Sequence, residues 1–236
     1  MTEAPTFPPL LRGVQAAAPF AAARRLAAEG CDGGTLVWSL SADRLQAALV
    51  LAPEVPLARA AAMLPLCGVG FANALGALSP PEVGVHLDWD GGVRVNGALA
   101  GDLRMAASGS DPAQVPDWLV VGLSVRLIPL DPEAPGATPD RTSLYDEGCA
   151  GVAPVTLLES WSRHTLSWIH RWSEDGAAPL HAEWRGLVHG LKSEVQVAGM
   201  SGVFLGTDED FRMILKTPEG TRAIPLTALL TQTEDA

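Results

Sequence analysis

The side chains best suited to chemistry in this sequence are concentrated between residues 84 and 104. His86 and Asp88 are two positions apart, so on a strand they share one face as a polar pair. A Gly91-Gly92 dipeptide follows, and apolar residues alternate with polar ones on both sides of it. This alternation around a two-residue glycine loop predicts a β-hairpin. The pair is either a functional site or part of a solvated or loop-covered face of the hairpin, and the pattern favours the second interpretation.

Catalytic motifs elsewhere in the chain are incomplete. The sequence has no H-E-x-x-H metal motif and no G-x-S-x-G nucleophile elbow. Residues 186–193 nearly spell a phosphate-binding Walker loop, but Lys192 is not directly preceded by glycine. Cys149, in DEGC, has no basic neighbour that would lower its pKa, which favours an incidental thiol over a nucleophile. We therefore predict no metal site and assign no catalytic residue.

Composition and charge limit the classes of partner. A hydrophobic content of 47% is sufficient for a packed core in one large domain, or in a main domain with a small one. The net charge of −11 argues against partners that reward basic patches, which are nucleic acids and anionic membranes. The two lysines, Lys192 and Lys216, are both near the C-terminus. Chemistry in the preceding residues therefore has no ammonium group to use.

Cysteine usage and hydropathy predict a cytoplasmic protein. Cys31, Cys67 and Cys149 are odd in number and far apart, which fits a reducing compartment. The N-terminus lacks the basic and apolar regions of a signal peptide. Residues 60–81 are uncharged and long enough to span a membrane, but they are mostly alanine and glycine, which favours a buried helix.

The hydropathy pattern predicts an α/β or α+β domain followed by a compact β-module. Predicted helices cover residues 16–29, 57–77 and 154–175, and predicted strands cover 34–38, 45–52, 99–106 and 118–128. The proline-rich residues 129–142 are predicted to form a loop. Three tryptophans form one stripe of the third helix, either as a core face or, less favoured, as a ligand platform. After Trp184, short alternating runs between turn signals predict a small β-barrel.

The stretch VHLDWDGGVRVNGALAGDL (85–103) resembles the signature of the biotin/lipoate protein ligase family. In that family a K-W-P-N-D strand leads through a hairpin to K-L/I-A-G, and a buried strand ending V-G-I/L-G-x-N follows. The run LVVGLSVRLIP resembles that second strand. The resemblance covers about residues 10–236. It implies an α+β fold with a mixed sheet flanked by helices in residues 1–184, followed by a small SH3-like β-barrel in residues 185–236.

The sequence departs from the family pattern where the family does its chemistry. Asp88 and Ala98 occupy the positions of the two family lysines, whereas Trp89 and Leu99-Ala100-Gly101 match the pattern. In the family, the second lysine contacts the acyl carboxylate and the adenylate phosphate, a cationic task that alanine cannot perform. The long Gly/Arg-rich loop of the family is reduced here to the short link of residues 39–44.

The resemblance therefore implies a catalytically degenerate protein that acts as a binding or regulatory module. Its partner is a biotin- or lipoyl-type small molecule or an acyl-carrier domain, and biotin, lipoate and ATP are cofactors by resemblance only. One alternative is an active acyl ligase in which Arg44 or Arg104 replaces the lysine, and another is a pure interaction scaffold. Self-association is also implied by the resemblance. The candidate ligand-binding residues are Trp38, Ser41, Arg44, Asp88, Trp89, Ala98, Gly101, Asp102 and Arg104.

Overall fold

A computed structural model describes residues 4–129 and 140–231, so most of the predicted proline-rich loop lies outside the described residues. A large mixed sheet dominates the fold. Its strands are β1 (Arg12–Gln15), β2 (Thr35–Leu40), β3 (Arg44–Leu51), β4 (Val85–Leu87), β5 (Gly92–Val95), β6 (Ala98–Ala107) and β7 (Leu119–Arg126). They are arranged in the order β1-β2-β3-β7-β6-β5-β4. β1 and β2 are parallel, and the other neighbours are antiparallel.

Helices cover the two faces of this sheet unequally. They are α1 (Pro19–Ala28), α2 (Leu57–Ala60), α3 (Met63–Gly76), α4 (Pro154–Asp175) and α5 (Ala177–Leu187). The main core forms between one sheet face and α2 to α5. Helix α1 packs on the opposite face with a smaller apolar cluster around Phe20. We call this second face the α1 face. The α+β architecture expected from the resemblance is thus confirmed.

The apolar segment weighed as a membrane span is the central helix of the core. The stretch Leu57–Gly76 is long and apolar enough to cross a membrane, but 83% of its apolar 18-residue window is buried inside the protein. Its two helices, α2 and α3, are separated at residues 61–62, close to the bend expected near Pro65. Pro65 lies in the first turn of α3, where its missing N–H breaks no helical hydrogen bond.

The tryptophan stripe of α4 is a core face, as the spacing predicted. Trp161 is 1% exposed, and its indole Nε1 donates to the Cys67 carbonyl at 3.1 Å. Trp168 Nε1 donates to the Asn73 side-chain oxygen at 2.7 Å. These bonds satisfy two buried indole N–H groups and fix α4 against α3.

The predicted hairpin is present, but its turn is longer than a glycine dipeptide. The connection between β4 and β5 comprises residues 88–91, with Gly91 at φ +101°. Trp89, which the alternation placed in the strand, lies in this turn. A second hairpin, which the pattern did not identify, joins β5 to β6. Its turn residues Asn96 and Gly97 have φ values of 50° and 94°, as a type I′ turn requires.

The predicted small C-terminal β domain is also confirmed. Strands β8 (Glu194–Val197), β9 (Met200–Thr207), β10 (Met213–Thr217) and β11 (Gly220–Ile224) form a four-stranded antiparallel sheet. Helix α5 was not predicted. It runs through the proposed boundary at residues 184–185, and its Trp184 is 2% exposed with its ring edge-on to Phe211.

Candidate functional site

Polar side chains gather on the part of the α1 face that helix α1 leaves uncovered. Residues paired across antiparallel strands share a face. Gln46, Ser124 and Asp102 are such a row on β3, β7 and β6. Gly122 and Arg104 belong to the next row, beside the apolar patch under α1. One end of the face is therefore apolar and covered, and the other is polar.

A pocket of about 200 Å³ lies between the start of α1 and strands β3, β6 and β7. We call it the α1 pocket, and its walls include Phe20, Arg24, Gln46, Arg104, Gly122 and Ser124. A Cβ on Gly122 would come within 2.6 Å of the Phe20 ring, so only glycine lets this ring lie against the sheet. The Arg104 guanidinium stacks over the same ring at 4.4 Å from its centroid. The pocket thus combines an aromatic wall with cations.

The two arginines of the α1 pocket have no acidic partner among the described residues. The ion pairs within that part of the chain involve other arginines and His189, not Arg24 or Arg104. A guanidinium remains protonated and presents a planar fork of donors. Both groups are therefore available to an anionic ligand, in a protein whose net charge is −11.

A second group of cations, which we call the strand-end cluster, consists of Arg44, Arg126 and Arg141. Arg44 and Arg126 are cross-strand partners on β3 and β7, and Arg141 pairs with Leu99 at the start of β6. Arg44 Nη1 donates to the Ser124 hydroxyl at 3.0 Å. Burial lowers the pKa of Arg126, and the charges of Arg44 and Arg141 lower it further. The Arg126 guanidinium is thus close enough to those of Arg44 and Arg141 to be repelled by both.

An acid beside the strand-end cluster belongs to the turn between β2 and β3. The Ser41 hydroxyl donates to Asp43 at 2.7 Å and is the main cause of the lowered pKa of that carboxyl, with Arg44 and Arg126 contributing less. Asp43 is therefore ionised and offsets part of the cluster's charge. Ser41 closes the turn, since its amide donates to the Arg44 carbonyl at 2.9 Å.

Asp88 and Trp89 lie away from the α1 pocket, at the junction with the C-terminal β domain. Asp88 accepts from Arg94 Nε at 2.8 Å and lies 2.9 Å from His189 Nδ1. Trp89 is 4% exposed and donates to the Phe211 carbonyl at 2.7 Å. The aspartate at the first family lysine position thus holds an inter-domain contact.

The structure separates the other predicted site residues as well. Trp38 pairs with Ala47 of the main core and so lies on the opposite face from the pocket. Ala98 pairs with Val95, which also belongs to the main core. A Cβ on Gly101 would collide with the Ser124 carbonyl, so this glycine is needed for the approach of β6 to β7. Of the predicted residues, Arg44, Asp102 and Arg104 meet on the α1 face, with Ser41 in the turn beside Arg44.

The structure supports neither the functional His86–Asp88 pair nor the Cys149 nucleophile that the sequence analysis weighed. Asp88 bonds Arg94 and His189 rather than His86. Cys149 is 2% exposed, and burial followed by the nearby Glu147 raises the pKa of its thiol. Within the described ranges, no group of three histidine, cysteine or acidic residues is placed to hold a metal ion.

Several residues of the face were missed from the sequence, namely Phe20, Arg24, Gln46, Ser124, Arg126 and Arg141. A weak signal existed, because R-x-Q and S-x-R keep polar residues in alternation on β3 and β7. The apolar run around Ser124 obscured it, since it indicated a strand buried on both faces.

Comparisons with known proteins agree with this fold. The model of the biotin/lipoate A/B protein ligase family matches residues 7–186, and a domain of unknown function matches residues 191–232. The chain is similar to biotin–[acetyl-CoA-carboxylase] ligase of Paracoccus denitrificans, with 27% identity over 196 residues, 80% of each protein.

Solved structures give the same result. A biotin protein ligase-like protein of unknown function from Silicibacter sp. TM1040 superposes with a TM-score of 0.91 at 57% identity, covering 97% of this chain and 100% of the other. Biotin protein ligase from Aquifex aeolicus superposes with a TM-score of 0.71 at 18% identity, covering 90% of this chain and 95% of the other. At that identity the likeness to the Aquifex enzyme concerns the fold.

Proposed function

We propose that this chain, which belongs to the biotin/lipoate A/B protein ligase family, binds a small carboxylic acid of biotin or lipoyl type in the α1 pocket and does not convert it to an adenylate. The observation that carries the proposal is the pair of guanidinium groups, Arg24 and Arg104, in an open pocket of about 200 Å³. Both lack a carboxylate partner among the described residues.

The walls of the α1 pocket suit the two ends of an acyl ligand. Arginine binds carboxylates with two parallel hydrogen bonds, which favours the acid end near Arg24 and Arg104. Phe20, at 7% exposure, presents its ring beside Arg104 and offers apolar contact to a hydrocarbon chain. Gln46 and Ser124 supply further donors along the same wall.

Two features support binding without adenylation. Ala98 occupies the second family lysine position. The nearby Arg94 donates to the Gly97 carbonyl, but its guanidinium also donates to Asp88, so it is not free to replace the lysine. The turn between β2 and β3 is only residues 41–43 long, and none of these residues lines the pocket. A reactive mixed anhydride needs both charge stabilisation and exclusion of water.

Titration calorimetry with octanoate, lipoate and biotin tests the binding. We expect at least one acid to bind and Arg104→Gln to weaken it by about tenfold, the loss of one charge-assisted pair. Arg25→Gln is the matched control, because Arg25 is on the same helix but lies 3.9 Å from Glu29. No heat with any of the acids would contradict the proposal.

ATP–pyrophosphate exchange in the presence of each acid tests the absence of adenylation. We expect no exchange above that of protein-free samples. A rate that depends on the acid and is lost in Arg104→Gln would overturn this part of the proposal and leave the binding part standing.

An active acyl ligase with arginine in place of lysine is the second candidate function. It is favoured by the placement of Arg104 in the pocket wall and of Arg44, which bonds another wall residue, Ser124. These guanidiniums would hold the carboxylate and phosphate charges. The exchange assay separates the two candidates.

The remaining parts of the functional assignment are also proposals. We propose an acyl-carrier domain as the macromolecular partner, because such a domain would bring an acyl group to the pocket. Self-association, which the family resemblance implies, is measured by the mass of the protein in solution. A reducing, cytoplasmic location is supported by Cys31, Cys67 and Cys149, which are all free thiols.

A further inference from the structure

We infer that the ligand of the α1 pocket is a dianion, with one anionic end at Arg24 and Arg104 and a second at the strand-end cluster. This inference rests on the proposed function and adds a ligand class to it. A biotin- or lipoyl-type acid has one carboxylate and an uncharged far end. The α1 face offers two separate groups of cations.

The strand-end cluster has the composition of an anion site. Arg44 and Arg126 are opposite one another on adjacent strands, and Arg141 reaches the same place from the segment beside β6. Within the described residues none of the three forms an ion pair. Asp43 offsets part of this charge. Like charges held together raise the free energy of the folded protein, and a bound anion relieves the repulsion that remains.

The geometry places the cluster within reach of a ligand that also occupies the pocket. Gly122 in the pocket wall and Arg126 are four residues apart on β7, which is about 13 Å along a strand. Ser124 lies between them, lines the pocket and accepts a hydrogen bond from Arg44. An extended eight-carbon dianion comes closer to this span than a four-carbon dianion, so the longer one is the probe and the shorter one the length control.

The acids on the face limit where negative charge is accepted. Asp102 is exposed in the row of Gln46 and Ser124, between the two groups of cations, and Asp43 lies in the turn beside Arg44. The middle of the ligand is therefore not anionic. The net charge of −11 repels anions at long range, so tight binding of a dianion reports the local arginines rather than general attraction.

Calorimetry of the full chain with octanoate, octanedioate and 8-phosphonooctanoate tests the inference. We expect the two dianions to bind about tenfold tighter than octanoate, the gain of one charge-assisted pair. The stronger of the two identifies the second group as carboxylate or phosphate-like. Butanedioate is the length control and is expected to gain nothing over butanoate.

The variants Arg126→Gln and Arg141→Gln test whether the strand-end cluster is the source of the tighter dianion binding. We expect both to reduce dianion affinity to that of octanoate and to leave octanoate itself unchanged. Arg141 is exposed, so its variant keeps the fold even if the half-buried Arg126→Gln does not. Asp102→Asn is expected to strengthen both dianions.

Two results would overturn the inference. If octanoate binds and the dianions bind no tighter, the ligand class is wrong and the proposed pocket stands. If neither octanoate nor the dianions bind, both the inference and the proposed function fail.

Discussion

At the level of single residues, charge has a different use here from the one expected of a ligase signature. Asp88, at a family lysine position, holds Arg94 and His189 at the domain junction. The guanidinium groups of the α1 face lie instead on β3, β6 and β7, on α1, and in the segment beside β6. The position that carries a lysine in the family therefore contributes to a domain contact here, and the guanidinium groups of the α1 face belong to residues outside the motif.

Thiol reactivity is the first prediction at this scale. Burial raises the pKa of Cys67 to about 12, and the pKa of Cys149 is raised by burial and Glu147. Thiolates are the reactive species, so we expect only Cys31, which is half-buried, to react rapidly with iodoacetamide in the native protein. Mass spectrometry of labelled peptides before and after unfolding in urea checks this. Rapid native labelling of Cys67 would contradict it.

The second prediction at this scale concerns the pH dependence of the free energy of unfolding. Burial, followed by Arg185, lowers the pKa of His181, whose Nε2 is 3.0 Å from the Thr207 hydroxyl. The unfolded chain therefore binds the proton first, at a pKa of about 6.5. The contribution of neutral His181 to the free energy of unfolding is therefore full above that pH. It decreases as the pH falls towards the lowered pKa of His181 in the folded protein.

His181→Gln tests this assignment, because glutamine keeps polar atoms but does not titrate. We expect the loss of unfolding free energy between about pH 7.5 and 5.5 to be smaller in the variant, measured by urea unfolding. His164, whose pKa is also lowered by burial, is unchanged in both proteins and sets the residual slope. Equal slopes in the two proteins would rule out His181.

At the level of elements, the close contact between α3 and α4 depends on one glycine. A Cβ on Gly70 would lie 2.6 Å from the Thr165 hydroxyl and 3.1 Å from the Thr165 amide nitrogen, which is backbone and cannot rotate away. The two helices can therefore approach only where α3 has no side chain. This contact, with the Trp161 and Trp168 bonds, sets the layer on which the sheet rests.

Gly70→Ala is expected to lower the free energy of unfolding by about 1–3 kcal/mol, the usual cost of overpacking. Gly76→Ala, at the end of the same helix, has open space around its Cβ and is expected to be neutral or slightly stabilising. Urea denaturation of the two variants measures both effects. Equal stability of the pair would show that α4 moves to accommodate the methyl group.

At the level of the whole molecule, the two domains are joined by buried hydrogen bonds as well as by the chain. Trp89 donates to Phe211 across the junction, and Leu87 pairs with Val188 beside it. The Phe211 ring also contacts Trp184 of α5. We therefore expect the β domain and the ligase-like domain to unfold together.

Trp89→Phe is expected to lower the free energy of unfolding by about 1–3 kcal/mol beyond the effect of the smaller ring, because the buried Phe211 carbonyl loses its donor. Trp172→Phe is the matched control, since its buried Nε1 has no partner among the described residues. Fluorescence and circular dichroism during urea unfolding check the stability and the cooperativity. A smaller loss for Trp89→Phe than for Trp172→Phe would contradict the role of this bond.

The sequence by itself determined the elements with strong periodicity and the family likeness. The α4 stripe, the buried strand at residues 118–128, the hairpin and the C-terminal β domain were all predicted from spacing or resemblance. Helix α5 and the Asn96-Gly97 turn were not. Periodicity and motifs are local properties of the chain, so they identify elements and the side of each that is buried.

Only the tertiary structure decided which polar residues meet. The register of β3, β7 and β6 places Arg44, Arg104 and Arg126 on the α1 face. Helix α1 adds Arg24, and the segment beside β6 adds Arg141. Asp88 and Trp89 belong to the ligase-like motif in the sequence, but the packing of the C-terminal domain places them at the domain junction. A shift of one residue in the register of a strand would turn its arginine to the other face, so this grouping of cations depends on long-range strand pairing that no local pattern encodes.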